Sequence, residues 1–166
     1  MKSEVFVALG SNIDPQARLL QAARLLRAQF PDARFSGCYR NPAFGFDGAD
    51  FLNAVACFSS DLPVPALLQV LHGIEAQCGR ARDDPKWGPR AMDLDLLLYG
   101  DQVGEGPGYV LPRRDLLRRV YMLGPLAELA PQLRHPVSGD TIGALWAAFA
   151  QADHAMTMSA PDLNAA

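Results

Sequence analysis

Lysine is almost missing from this chain: Lys2 and Lys86 are the only two among fifteen basic residues, and the rest are arginine. Arginine offers a rigid planar fork of donors that suits phosphate oxygens, so the bias leaves a polyanion site open. Yet a net charge of -3 gives no overall basic field, which argues against a nucleic-acid partner. Cysteine is scarce too. Cys38, Cys57 and Cys78 are odd in number and far apart with no CxxC pair, so neither a disulfide framework nor a zinc site is expected, only buried thiols in a reducing cytoplasm. No apolar run approaches the roughly 18 to 20 residues of a membrane span, and the run after MKSE is too brief for a signal peptide, so a cytoplasmic protein without a membrane partner is expected. GxxxxGK[ST] is absent, which excludes a P-loop as phosphate cradle.

What is present describes an ordinary folded domain. Hydrophobic residues make up 49% and charged residues 20% of 166 positions, enough to bury a core without covalent staples. EVFVALG, residues 4–10, has the apolar, β-branched character of a buried strand closed by glycine. Asp14 is expected to cap, and Pro15 to fill the first turn of, a helix whose inner stripe is Leu19, Ala23, Leu26 and Phe30, with Pro31 ending it. RFSGCYR (34–40) and NAVACFS (53–59) predict two strands. The connection between them, NPAFGFDGADFL, is long and rich in Phe and Gly, as binding loops are. Pro65 opens a second helix with Leu67, Leu71, Ile74 and Cys78 inward and Gly79 as its stop, and the strand AMDLDLLLYG follows.

Strand, helix, strand, strand, helix, strand is the order of a ferredoxin-like α+β sandwich: a βαββαβ core in which helices pack on an antiparallel sheet. A hairpin-like piece around 100–112 and helical patterns in 113–131 and 140–151 add C-terminal helices, from which Trp146 and Phe149 are expected to close the core. Residues 1–155 are expected to form one domain, a monomer, and 156–166 a loose tail. His135 and His154 are expected at the surface.

Two aspartates interrupt the most strand-like segment. On a strand Asp93 and Asp95 share one face, while Met92, Leu94 and Leu96 face the other. At about 6 to 7 Å and an effective dielectric of 20 the two charges repel by roughly 2.5 kcal/mol, so a cation belongs between them. Arginine in a static ion-pair network is one candidate. A magnesium ion held by carboxylates, water and substrate phosphates is the other. Arg80, Arg82, Lys86 and Arg90 precede the acids on a segment punctuated by Gly79, Pro85, Gly88 and Pro89, with Trp87 among them. Cations on a loop beside paired carboxylates suit phosphoryl transfer, and a tryptophan on a glycine and proline hinge suits a lid.

FVALGSN (6–12), YRNPAFG (39–45), FLNAV (51–55), GRAR (79–82) and WGPRAMDLDLLLYG (87–100) together resemble the 6-hydroxymethyl-7,8-dihydropterin pyrophosphokinase family, in order, over residues 5 to about 152. The resemblance implies transfer of pyrophosphate from ATP to the hydroxymethyl group of the dihydropterin in folate biosynthesis, with two Mg2+ ions held by Asp93 and Asp95. It implies a catalytic set of Arg80, Arg82, Arg90, Asp93 and Asp95. ATP is expected to meet His72, Glu75, Trp87, Leu96, Pro112, Arg113 and Arg119 beside those arginines, although His72 and Glu75 equally fit exposed positions on the second helix. For the pterin it implies Asn53 as reader of the amide edge, Phe51 and Tyr121 as aromatic walls, and Asn41, Pro42, Phe44, Trp87 and Asp93 around them. Departures from the family pattern are Asn41 for a common threonine, Phe51 and Tyr121 for a tyrosine and a phenylalanine, and Arg113 where a histidine often contacts ATP. Two other readings compete. A non-catalytic ferredoxin-like binding or oligomerisation module would leave the cation loop and paired acids unexplained. RNA binding on the sheet would need exposed aromatics on a basic face, where two acids stand instead.

Overall fold

The computed structural model describes residues 1–43, 46–80, 89–149 and 156–166. The first strand, β1 (Ser3–Ser11), is apolar on both faces and is buried from Val5 onward. Helix α1 (Pro15–Gln29) buries Leu19, Ala22, Ala23 and Leu26 against it. Asp14 does not cap α1 through its side chain as expected. It sits in the left-handed region (φ 47°, ψ 53°), and its carbonyl instead accepts the N–H of Arg18 at 3.1 Å. An Ncap residue reaches N2 or N3 from extended backbone, which this turn does not provide.

The expected strand over 34–40 is two pieces, β2 (Arg34–Phe35) and β3 (Cys38–Asn41). The break falls at Ser36, whose Oγ accepts the N–H of Val55 at 2.9 Å, so a side chain replaces a ladder partner there. Strand β4 (Phe51–Ser60), helix α2 (Val64–Gln77) and strand β5 (Asp93–Tyr99) complete the core, with Gly79 past the helix end at φ 96°. The hairpin β6 (Gly104–Gly106) and β7 (Tyr109–Leu111) follows, then a 3-10 turn at Leu116–Arg118, α3 (Val120–Leu129) and α4 (Ile142–Ala148).

The sheet order is β5-β1-β4-β3, every neighbouring pair antiparallel, which is the ferredoxin-like arrangement. Helices α1 and α2 cover one face over Val5, Val7, Leu9, Leu94 and Leu96. Helices α3 and α4 cover part of the other over Phe6, Ala8, Val55 and Cys57, where Trp146 and Phe149 are half-buried against the second core. The β1–β5 register shifts between Phe6 and Val7, so Leu97 is an extra residue in β5, and both it and Leu98 reach the second core. At this bulge the Leu97 carbonyl accepts the N–H of Arg113 at 2.9 Å, tying the segment after the hairpin to the sheet.

Two further expectations are corrected. Residues 156–166 do not hang free: β8 (Thr157–Ser159) pairs with β3 at the sheet edge, and Leu163 is 1% exposed in the first core. Alternation at 157–166 is too brief to signal a strand, and the contacts that hold it come from residues more than a hundred positions away. His135 is buried, its Nδ1 accepting the N–H groups of Val137 and Ser138 at 3.3 and 3.2 Å, and burial pushes its pKa down. His154 lies outside the described residues.

Candidate active site

Antiparallel pairing places partner residues on one sheet face, and the register lines up Asp93, Gly10, Asn53 and Tyr39 across four strands. The next row holds Asp95, Ala8 and Val55, and the row at the strand end pairs Asn41 with Phe51. Asp93 and Asn53 are therefore two strand spacings apart, about 9 to 10 Å, with only a glycine between them. A Cβ on Gly10 would lie 2.8 Å from Oδ1 of Asn53, so this residue forms a bare floor between acid and amide. The Asn53 amide donates to Oδ1 of Asn41, whose own amide donates to the Pro42 carbonyl at 3.2 Å.

Above this floor is a cavity of about 260 Å3, walled by Phe46, Phe51, Tyr121 and Met122 and bounded by Asn41, Asn53 and Arg90. Phe46 and Phe51 meet edge to face, ring centroids 6.3 Å apart. A larger cleft of about 1360 Å3 extends outward past His72, Glu75 and Ala76 on α2 to Tyr109 and Val110 of the hairpin. The cavity and the cleft share Arg80, Asp93, Asp95, Arg113, Asp115 and Arg119. A small, partly aromatic cavity and a roomy cleft thus meet at three carboxylates and three guanidinium groups.

Each strand acid faces an arginine held by a second acid. Arg80 donates to Asp93 at 2.7 Å and to Glu75 at 2.8 Å. Glu75 Oε2 also accepts the Leu94 N–H at 2.8 Å, so this buried carboxylate braces both the arginine and the strand. Arg113 reaches Asp95 at 3.5 Å and donates through Nε to Asp115 at 2.8 Å, while Arg119 lies 3.7 Å from the other Asp115 oxygen. Burial, then the charge of Asp93, push Asp95 up to about 7, with Arg113 pulling the other way. Burial also raises Glu75, opposed by the Leu94 N–H and Arg80. For Arg113 burial works against the charge, and Asp95 and Asp115 outweigh it, raising its pKa. The arginine-paired arrangement of the two aspartates is thus what the structure contains.

Among the described residues no three His, Cys, Asp or Glu side chains converge as a metal cage. Two carboxylates on a rigid strand, open to a cleft, are nevertheless the donor set of a hard divalent ion whose remaining ligands are water and substrate oxygens.

The structure brings most expected site residues together. Asn41, Phe51, Asn53, Arg90 and Tyr121 border the inner cavity, and His72, Glu75 and Leu96 line the outer cleft. Pro42 and Pro112 are not among the lining residues of either. Phe44, Arg82, Lys86 and Trp87 lie outside the described residues. The sequence reading passed over Gly10, Phe46 and Asp115. It also passed over Asn12, whose Oδ1 accepts the Arg90 N–H at 2.8 Å and whose Nδ2 donates to the Ala49 carbonyl at 3.1 Å. This one buried amide joins the roots of both segments that flank the site. The sequence offered a signal for Asp115 alone, the i,i+4 spacing to Arg119.

The family profile of 7,8-dihydro-6-hydroxymethylpterin-pyrophosphokinase matches residues 6–131. A 2-amino-4-hydroxy-6-hydroxymethyldihydropteridine pyrophosphokinase from Synechocystis sp. is 42% identical over 139 residues, covering 82% of this chain and 71% of its own. The protein of that name from Pseudomonas aeruginosa is 39% identical over 140 residues, covering 82% and 86%. Among solved structures, an HPPK-DHPS in complex with substrates superposes with a TM-score of 0.67 at 10% identity. The Plasmodium falciparum HPPK-DHPS with pterin and p-hydroxybenzoate gives 0.66 at 13%. This chain covers 91% and 89% of itself in these two superpositions and spans 44% and 43% of the longer chains, so they show the fold.

Proposed function

Because the chain belongs to the 7,8-dihydro-6-hydroxymethylpterin-pyrophosphokinase family, we propose that it transfers the β,γ-pyrophosphoryl unit of ATP to the hydroxymethyl oxygen of 6-hydroxymethyl-7,8-dihydropterin, a step of folate biosynthesis. The observation that carries this reading is the shared border of the two spaces, where six charged side chains stand between a ring-sized cavity and a nucleotide-sized cleft. A flat heterocycle fits between Phe51 and Tyr121, with the Asn53 amide, both donor and acceptor, at its edge. The triphosphate takes the outer cleft, its charge opposed by Arg80, Arg113 and Arg119. The hydroxymethyl oxygen then forms a bond to the β-phosphorus as its O–H bond breaks and the proton passes to solvent, while the bond from that phosphorus to the α-bridging oxygen breaks and AMP leaves with the electron pair.

Asp93 and Asp95 are the residues that would hold two Mg2+ ions, which supply charge neutralisation at the phosphates and acidify the attacking hydroxyl. His72 lines the outer cleft but not the inner cavity, which agrees with catalysis by alignment rather than by a histidine base. A monomer acting in the cytoplasm is part of the same reading, and no helix among the described residues is long and apolar enough to cross a membrane. The test is AMP release from ATP, the dihydropterin and Mg2+. The Asp95→Ala variant should keep its circular dichroism spectrum and lose turnover. A non-catalytic module would yield no AMP from the unaltered protein.

A further inference from the structure

We propose that Asp115 is a positioning residue for the nucleotide: its carboxylate holds Arg113 and Arg119 against the cleft and retains Arg113 there when Asp95 is engaged by a divalent ion. Arg113 stands between two acids, 3.5 Å from Asp95 and 2.8 Å from Asp115. The shorter contact uses Nε and the longer one NH1, so the guanidinium keeps its hold on Asp115 if Asp95 is withdrawn. The other oxygen of Asp115 faces Arg119 Nε at 3.7 Å, giving one carboxylate two arginines.

The backbone keeps this acid in place. The Asp115 carbonyl accepts the Arg118 N–H at 3.0 Å, and the Arg113 carbonyl accepts the Leu116 N–H at 3.3 Å, which fixes the 3-10 turn that carries the acid. Arg113 itself is tied to the β5 bulge through Leu97. A second unit on the opposite side of the site has the same design: Glu75 holds Arg80, which reaches the other strand acid, Asp93. In both units the acid outside the Asp93 and Asp95 pair anchors an arginine that meets that pair. Long flexible arginines lose much rotamer freedom on binding, and a fixed partner removes part of that cost beforehand.

This inference rests on the proposed nucleotide site, and its test separates the two. Simple charge counting predicts that removing an acid beside a polyphosphate tightens binding. Positioning predicts the reverse. ATP affinity of the wild type, Asp115→Asn, Arg113→Ala and the double variant would be measured by titration calorimetry, in EDTA and with Mg2+. Loss of a charge-assisted contact should weaken ATP binding about tenfold in Asp115→Asn in both conditions. In the Arg113→Ala background the same change should cost markedly less, because one of the two arginines that Asp115 orients is already gone. Unfolding curves check that each variant is folded, and if Asp115→Asn alone fails to fold, Asp115→Glu takes its place, with binding expected within about threefold of wild type. Tighter or unchanged ATP binding in Asp115→Asn, a loss undiminished without Arg113, or an Asp115→Glu variant weakened as much as tenfold would overturn the positioning role. A wild type that binds no ATP would overturn the functional reading itself and this inference with it.

Discussion

Asp93 on β5 and Asn53 on β4 lie in one lateral row of the sheet and look at each other across Gly10, which contributes no side chain. The acid proposed to face phosphate and the amide proposed to read a heterocycle are thereby placed about two strand spacings apart by backbone pairing alone, near 9 to 10 Å. Strand pairing is among the stiffest parts of a fold, so the distance does not depend on loop conformation.

A methyl group on that floor should therefore separate the two ligands. Gly10→Ala would put a carbon 2.8 Å from Asn53 Oδ1, forcing the amide to move. The expected outcome is a KM for the dihydropterin raised about tenfold or more, the equivalent of 1.4 kcal/mol, with ATP affinity little altered. Gly10 is extended rather than left-handed, so the fold should persist. Steady-state kinetics in both substrates checks this; equal losses for the two would count against the floor role.

How far the sequence disclosed the site depended on which period carried the signal. Asp93 and Asp95 were legible because a strand's two-residue alternation forces them to one face, and the βαββαβ order followed from apolar stripes of helices and strands. Asn53, Phe51 and Tyr121 came from family resemblance, since one aromatic or amide in isolation is no different from a core residue. Asp115 showed only its i,i+4 spacing to Arg119, while Gly10 and Asn12 were silent because their roles are long-range: Gly10 lies against Asn53 and Asn12 reaches position 90. The strand Thr157–Ser159 was hidden for the same reason, as its partner β3 begins at Cys38.

Asp95 sets a conflict between stability and function that pH exposes. With its folded pKa raised from 3.8 to about 7, the folded protein binds a proton that the unfolded chain has released between those values. Stability from this group is therefore fully present below the unfolded value and is lost as pH rises through about 7. The full shift would correspond to roughly 4 kcal/mol, and solvent reaching this partly exposed carboxyl reduces the expectation to about 2 kcal/mol. In EDTA, Asp95→Asn should be more stable than wild type by about that amount at pH 8, the gap closing toward pH 4. Urea denaturation across pH checks the sign, and a variant less stable than wild type at pH 8 would refute it.

The docked C-terminal segment should matter to stability and not to the site. Arg27 donates to the carbonyls of Asn164 and Ala166 at 2.9 and 2.8 Å, and the Asn164 side chain exchanges two hydrogen bonds with the Phe35 backbone at 2.9 and 2.8 Å. Leu163 fills the core beneath α1. Burial of one leucine contributes roughly 2 to 3 kcal/mol and the hydrogen bonds about 1 kcal/mol each, so deletion of residues 156–166 should cost about 3 to 5 kcal/mol after the entropy of ordering the segment is deducted. The segment sits at the sheet edge opposite β5, so ATP affinity of the folded fraction should stay within about twofold of wild type, under 0.5 kcal/mol. Leu163→Ala, which removes only the buried side chain, should lose about 2 to 3 kcal/mol by itself. A deletion that leaves the urea midpoint unchanged would show that these contacts do not hold in solution.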